Sequence, residues 1–415
     1  MSLPTSNTRD TDPPRALEGV KVVEYAGSIS GQYCAKLLAD LGAEVIKIEP
    51  PEGDETRDYG PFPQNLPHKE RSGLFLWLNH NKMGMTLNVK SPAGRKMLLD
   101  LLKDTDVFVE NFTPQIAEDL ELDYPALEKV NGRLVHISIT SFGRTGPYKN
   151  YKAYDIGACA AGGISVGIGY PNRMPLTLPL SQAGFQGGAA GASAALIALL
   201  SREITGQGQQ ADVSEVEVLA NTHHAGGLIS LYIYQGIAGK RKGIHESYFN
   251  YPCSTLPCKD GYVCLIAPQI EQWTKFVKVM GDPEWSKNPR YRDRRAMAEK
   301  YPDESDDLLR PWLKEHTKKE ILDICMKEHI PFGSLMTIDE IVNSPHMEER
   351  KFFVKVEHPE TGEMKYPGAP YELSETPVSI RRAAPRLGEH NRDIICGRLG
   401  YAPEEMVDLR RKGVI

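Results

Sequence analysis

The sequence predicts an α/β chain: an open, Rossmann-like parallel sheet in a large domain, with a smaller α+β domain set into it. Three observations predict this. Residues 19–49 read strand, helix, strand; the same order recurs over 85–110; and from about Tyr248 to Pro331 the pattern shifts to short strands and charged helices. At 415 residues the chain also exceeds one ordinary domain, so a second is expected on length alone.

Residues 1–16 read as a loose tail, because Met1 to Arg15 is polar and proline-containing with no apolar core of a leader segment. The large domain begins at 17, and its first part runs to 220. Gly19 to Tyr25 alternates and is rich in β-formers, so it is a strand; it breaks at Ala26-Gly27-Ser28. Gly31 to Leu41 has helical periodicity and stops at Gly42. Ala43 to Glu49 is a second strand, closed by Pro50-Pro51. Strand, helix and strand within so short a span predict a right-handed parallel crossover. Met85 to Val89, Pro92 to Leu102 and Val107 to Glu110 repeat the unit, and Leu134 to Ile139 adds a strand. In such a sheet, ligands favour the loops beyond the carboxyl ends of the strands. Gly27-Ser28-Ile29-Ser30-Gly31 does not have the GxGxxG spacing, which weakens a dinucleotide reading.

Pro179 to Gly191 is a turn rich in small residues that leads into an apolar helix, Ala192 to Leu200. Small residues there let a ligand or a second backbone approach closely and leave the first helical amides free for a negative group. The side chain at the apex is Phe185, flanked by Gly184, Gln186, Gly187 and Gly188, and it offers no acid, base or nucleophile. Beyond Thr205 to Gln209 a helix is expected over Val213 to Leu219. Residues 221–247 form a linker, 248–331 the small domain and 332–415 a second linker with the return to the large domain. The small domain carries a strand at Tyr262 to Ile266 and helices at Glu271 to Met280, Glu304 to Glu315 and Lys318 to Glu328. The return carries Phe352 to Glu357 and a helix at Pro403 to Lys412.

The net charge of −6 argues against a nucleic-acid partner, which calls for a basic excess. Lys240-Arg241-Lys242 and Arg292 to Arg295 are basic but carry no interleaved aromatics, and read as solvated faces. No apolar run reaches the roughly 18 residues of a membrane span. Seven widely spread cysteines without a secretory signal suggest reduced thiols and a cytoplasmic location. No metal is expected. Cys253, Cys258 and Cys264 have no ligand-like histidine among them, while His223-His224 and Glu215/Glu217 point different ways on a helix.

Several phrases together resemble the class III CoA-transferase family, which includes formyl-CoA and carnitine CoA-transferases and the acyl-CoA racemases. They are Leu17 to Glu24, Leu38 to Pro50 followed by Gly53-Asp54 and Arg57, Val109 to Phe112, and Ser141 to Tyr148. Thr205 to Gln209, Leu387 to His390 and Leu399 to Tyr401 complete the set. The resemblance implies a large α/β domain built from both chain ends, a small middle domain, and dimers whose chains interlock. It also implies the chemistry. An aspartate at the Gly-rich corner attacks an acyl-CoA thioester, giving a mixed anhydride and CoA thiolate. The thiolate returns to leave an enzyme-bound CoA thioester, which an acceptor carboxylate resolves through a second anhydride. Corner amides would serve the developing oxyanions. Coenzyme A is thus a substrate, and no covalently bound cofactor is expected.

Carried over residue by residue, the resemblance places Ser28, Ile29 and Ser30 beside the thioester. Leu87, Lys90, Asn111, Phe112, Lys152 and Tyr154 fall on CoA-facing positions. The alternative for Asn111-Phe112 is a structural loop, and for each lysine a solubilising charge. Tyr154 and Asp155 match a phrase next to the substrate; their alternative is a core tyrosine and a helix-capping aspartate. The chain departs from the family at four places: Gly31-Gln32 stands where the family usually reads Gly-Pro, Pro50 and Asp119 stand where some relatives have arginine, and the Gly-Asp of the corner reads Gly184-Phe185. The resemblance therefore implies no catalytic residue at the corner. The leading expectation is a catalytically silent subunit partnered by a paralogue that carries the aspartate, with succinyl-CoA:benzylsuccinate CoA-transferase as the specific example. Two other readings stand beside it: an active homomer using a displaced acid such as Asp155, and a non-enzymatic acyl-CoA binder.

Overall fold

Six strands pair side by side in the order β3-β2-β1-β4-β5-β6, every neighbouring pair parallel. They are β1 (Lys21–Tyr25), β2 (Glu44–Glu49), β3 (Lys82–Thr86), β4 (Val107–Glu110), β5 (Val135–Thr140) and β6 (Gln209–Ser214). The helices of this part are α1 (Ile29–Asp40), α2 (Gly73–Leu78), α3 (Pro92–Leu102), α4 (Pro114–Asp119), α5 (Tyr124–Val130), α6 (Asp155–Ala161), α7 (Gln182–Thr205) and α8 (Glu215–Ala220). This computed structural model describes residues 13–245 and 250–415, without the side chains of 223–225. Most of the expected tail and the His223-His224 pair's side chains therefore lie outside the described residues.

The sheet is covered on both faces, as all-parallel sheets are. Alternation along β1 sends Val22 to a cluster with α1 and α7, and Val23 to another with α3, Leu127 and the chain's last residues, Val414 and Ile415. The strand order reverses direction between β1 and β4, which opens a crevice at their carboxyl ends. That crevice positions everything below.

Two compact units divide the chain. The first takes in the chain to Ile164, Thr177–Gly227 and Glu348–Ile415; the second comprises Ser165–Leu176 and Leu228–Met347. The second has a small antiparallel sheet of Cys253–Pro257, Tyr262–Ile266 and Gly333–Ser334, with helices Ile270–Val279, Pro302–Glu315 and Lys318–Glu328 packed around Phe276, Leu309 and Ile321. Its buried Asp306 accepts from Tyr251 Oη at 2.9 Å and pairs with His245 at 2.8 Å.

Local structure departs from the sequence reading at three places. β3 begins three residues before the expected Met85, because Lys82 is buried rather than exposed. Gln209–Ser214, read as the approach to a helix, is the edge strand β6; its polar pattern reflects one-sided pairing to β5. From Gln182 on, the Gly-rich stretch is not a turn before a helix but the first, nearly three, turns of α7 itself. At 24 residues, α7 is also long and apolar enough to cross a membrane, a length the sequence reading did not count. Its Ala183, Gly187, Gly188, Gly191, Ala192 and Ala195 are buried in this unit.

Candidate active site

The loops beyond β1, β4, β5 and β6 meet under the start of α7. After β1, Ser28 caps α1: its Oγ accepts from Gly31 N–H at 3.2 Å and lies 3.0 Å from Ser30 Oγ. After β4, Asn111 Oδ1 accepts from Gly27 N–H at 3.0 Å, tying the two loops together across the switch point. After β5, Ser141 Oγ donates to Glu215 Oε2 at 3.2 Å, and Glu215 is the first residue after β6 and its cap, Ser214.

The glycines of α7 are packing glycines. A Cβ on Gly184 would lie 3.2 Å from Ile29 Cβ; one on Gly188, 2.6 Å from Ser30 O; one on Gly191, 2.5 Å from Ile139 Cδ1. They let α1 press against α7 backbone to backbone. Of the α7 positions, Gly184, Gly187 and Gly188 all turn toward Ser30, and Gly184 is the one that meets Ile29. Phe185 points elsewhere, its ring set edge-on to Tyr33 at 5.2 Å and to Trp77 at 5.5 Å. The expected apex side chain is thus held in an aromatic cluster between α1, α2 and α7.

The start of α7 has an unusual cap. Leu180 and Ser181 both sit in the left-handed region, at φ 59° and 57°, and Ser181 makes no side-chain cap bond. Asp155 replaces it from outside: Oδ1 accepts from Ala183 N–H at 2.7 Å and from Gly184 N–H at 3.4 Å. A carboxylate on a helix N-terminus is well placed, and it occupies the amides that an oxyanion would otherwise meet. Asp155 is therefore engaged as a cap, while Tyr154 is 84% exposed and packs in no core.

Beneath the crevice, the phrase Lys47 to Arg57 forms a buried ionic network. Lys47 Nζ bonds Glu24 at 3.0 Å and Asp54 at 2.9 Å, Lys82 Nζ bonds Glu24 at 2.6 Å, and Arg57 forks onto Glu49 at 2.6 and 2.8 Å. Burial pulls Lys82 down to about 8, with Glu24 opposing it and Lys47 adding to it. Burial also depresses Lys47, but Asp54 and Glu24 outweigh it and hold that ammonium above its ordinary range. Gln32 Nε2 joins this network through Asp54 at 3.0 Å.

Residues 17–391 match the sequence profile of CoA-transferase family III. The chain belongs to that family. Class III relatives cover nearly all of it. Succinyl-CoA–D-citramalate CoA-transferase of Chloroflexus aurantiacus is 32% identical over 409 residues, 97% of this chain and 99% of the relative. The succinyl-CoA–L-malate CoA-transferase beta subunit of the same organism is 31% identical over 405 residues, 96% and 98%. A formyl-CoA:oxalate CoA-transferase of Streptomyces coelicolor is 33% identical over 417 residues, 97% and 99%. In structure, the chain resembles a CaiB/BaiF family protein from Brucella suis, with TM-score 0.82, 28% identity, and 92% and 99% coverage.

The class III site positions read from the sequence divide three ways. Ser28, Ile29, Ser30 and Asn111 are brought together at the switch point, and Gly184 faces them. Phe112 stands beside Asn111, its ring edge-on to Tyr25 at 5.2 Å. Lys90 and Lys152 are exposed on segments that follow β3 and β5, and Tyr154 lies next to Lys152. Leu87 is corrected: it is fully buried among Ile48, Met85 and Val89 and has no surface to offer a ligand. Glu215 is the residue that sequence reasoning missed, having weighed it only as a metal ligand. It directly follows a parallel strand's carboxyl end, which was the available signal. Burial pushes its carboxyl up, hydrogen bonds from Ser30 and Ser141 draw it down, and Asp155 pushes it up again; the net direction is up.

Proposed function

We propose that this chain is the catalytically silent subunit of a heteromeric class III CoA-transferase, which moves CoA between an acyl-CoA and a carboxylic acid in the cytoplasm. The observation that carries the reading is the corner. No residue from 181 to 191 is acidic, the α7 positions turned toward Ile29 and Ser30 include three glycines, Gly184, Gly187 and Gly188, and the Phe185 ring packs against Tyr33 and Trp77. Asp155, the displaced acid of the alternative reading, is committed to capping α7. A nucleophile must meet the thioester carbon in near-attack geometry, and a capping carboxylate would first have to leave its amides.

In this reading a paralogous subunit supplies the aspartate, and this chain contributes the fold and a wall of the site. The Chloroflexus relative named as a beta subunit supports a family in which chains of this kind work as one of two. Succinyl-CoA as donor and (R)-benzylsuccinate as acceptor, in anaerobic toluene breakdown, is the specific pairing we advance. The test is to assay the purified chain alone, and again after co-expression with a class III paralogue that carries the corner aspartate. The chain alone is expected to be inactive and the pair active. Robust transfer by the chain alone would sink the proposal.

A further inference from the structure

Glu215 has no part in the reaction as outlined, yet it is the side chain around which the corner is assembled. It starts α8 where β6 ends, and its side chain runs along Gly187: a Cβ there would lie 2.9 Å from Glu215 Cγ and 3.6 Å from Ser30 Cβ. The missing side chain of Gly187 is thus the room that Glu215 occupies. Its carboxyl accepts from Ser141 Oγ at 3.2 Å beyond the end of β5, Ser141 also lies 3.4 Å from Ala153 O, and Ser30 of α1 lies beside it across Gly187. Ser30 in turn bonds Ser28, the cap of α1. The segment Gly27–Ser30 is therefore bonded to Asn111 at one end and flanked by Glu215 at the other.

We propose that Glu215 is a positioning residue of the corner: through Ser30 and Ser141 it fixes the Gly27–Ser30 loop beneath α7 in the conformation presented to a CoA thioester. The last part of that statement rests on reading the loop as the thioester loop. A neutral carboxyl suits the task, because it can both accept and donate among hydroxyls in a sheltered place. The titratable group facing it is Asp155 on α6; α1 contributes Ser30, the end of β5 Ser141, α7 only Gly187, and Glu217 on its own helix is exposed. Ionised Glu215 would be a second negative charge near Asp155 with less water to solvate it. Raising the pH should therefore loosen the loop.

The experiment is hydrogen exchange of the Gly27–Tyr33 amides in the full chain, corrected for intrinsic rates, from about pH 4 to about pH 9, a range that starts near the ordinary carboxylate value and runs above it. Wild-type protection should fall by about tenfold across it, the size of one hydrogen bond lost. Glu215→Gln, neutral at every pH and still able to donate, should stay protected and flat. Glu215→Ala should be unprotected throughout. Parallel profiles for wild type and Glu215→Gln, or full protection in Glu215→Ala, would overturn the proposal. Calorimetric titration of the same proteins with acetyl-CoA separates the two layers. Affinity that follows loop protection supports the whole inference. Loop protection that behaves as expected, with acetyl-CoA bound by none of the proteins, keeps the positioning role and removes the CoA reading of the loop.

Discussion

Replacing Gly188 by alanine should destabilise the first unit, even though alanine is the better helix former. In a helix interior the exchange gains about 0.5–1 kcal/mol by propensity. Against this, the new methyl would stand 2.6 Å from Ser30 O, 3.0 Å from Tyr33 Cβ and 3.2 Å from Cys34 N. The first of these is roughly 0.8 Å inside ordinary contact. Two of the obstacles are backbone atoms of α1, so no rotamer change relieves them, and α1 must move off α7. Overpacking of that kind costs about 1–3 kcal/mol, and with two backbone obstacles the upper half applies, which leaves a net loss of about 1–2.5 kcal/mol. The measurement is the urea midpoint and calorimetric transition of Gly188→Ala beside Gly157→Ala. A Cβ on Gly157 meets only Ala153 Cβ at 3.4 Å. The control should match or exceed wild type. If Gly188→Ala is equally stable, the glycines of α7 are not there for helix packing and the reasoning fails.

Two further predictions bear on the network and the corner. Lys82→Met strips Glu24 of one of its two buried partners and should cost about 3–5 kcal/mol in chemical denaturation. With Lys82 at about 8 in the fold and about 10.4 unfolded, the unfolded chain binds more protons between those values, so wild-type stability carries a component that rises with pH there; the variant should lack it. Of engineered acids, Gly184→Asp combined with Ile29→Ala should trap a hydroxylamine-sensitive CoA adduct seen by intact mass, whereas Phe185→Asp should not, because position 185 faces Tyr33 and Trp77. An adduct on Phe185→Asp alone would reverse that assignment.

The parallel sheet was legible because β1, β2, β4 and β5 are runs of Val and Ile bounded by Gly and Pro, where period and propensity agree. β6 was not, since Gln209-Gln210-Ala211-Asp212 belongs to an edge strand with only one partner and so lacks the apolar signal. The corner was legible as a site but misread in shape. Gly187 and Gly188 look like turn residues in a sequence, and only the nearness of Glu215 and of the α1 backbone shows that they are cavities for neighbours. Asp155 was visible as a capping residue, but the helix it caps starts 27 positions later, a pairing no local pattern encodes. Leu87 was carried over from the resemblance by position alone, and position does not show that its side chain turns into the core.

The residues that carry the family resemblance are for the most part the residues that hold the fold. Lys47, Glu49, Asp54 and Arg57 lie in one of the phrases on which the class III resemblance rests, and all four are buried in one ionic network under the sheet's carboxyl edge. Their geometry is demanding, since removing one partner leaves another charge buried and unpaired. Asn111 spans the switch point by a single hydrogen bond to a backbone amide. None of these contacts requires a nucleophile at the corner. A chain can therefore lose the reacting carboxylate and keep the phrases by which the family is recognised, because fold and chemistry are carried by different side chains. In this molecule the two sets meet at one place, where Gly184 faces Ile29 and Ser30 and Glu215 secures them from below.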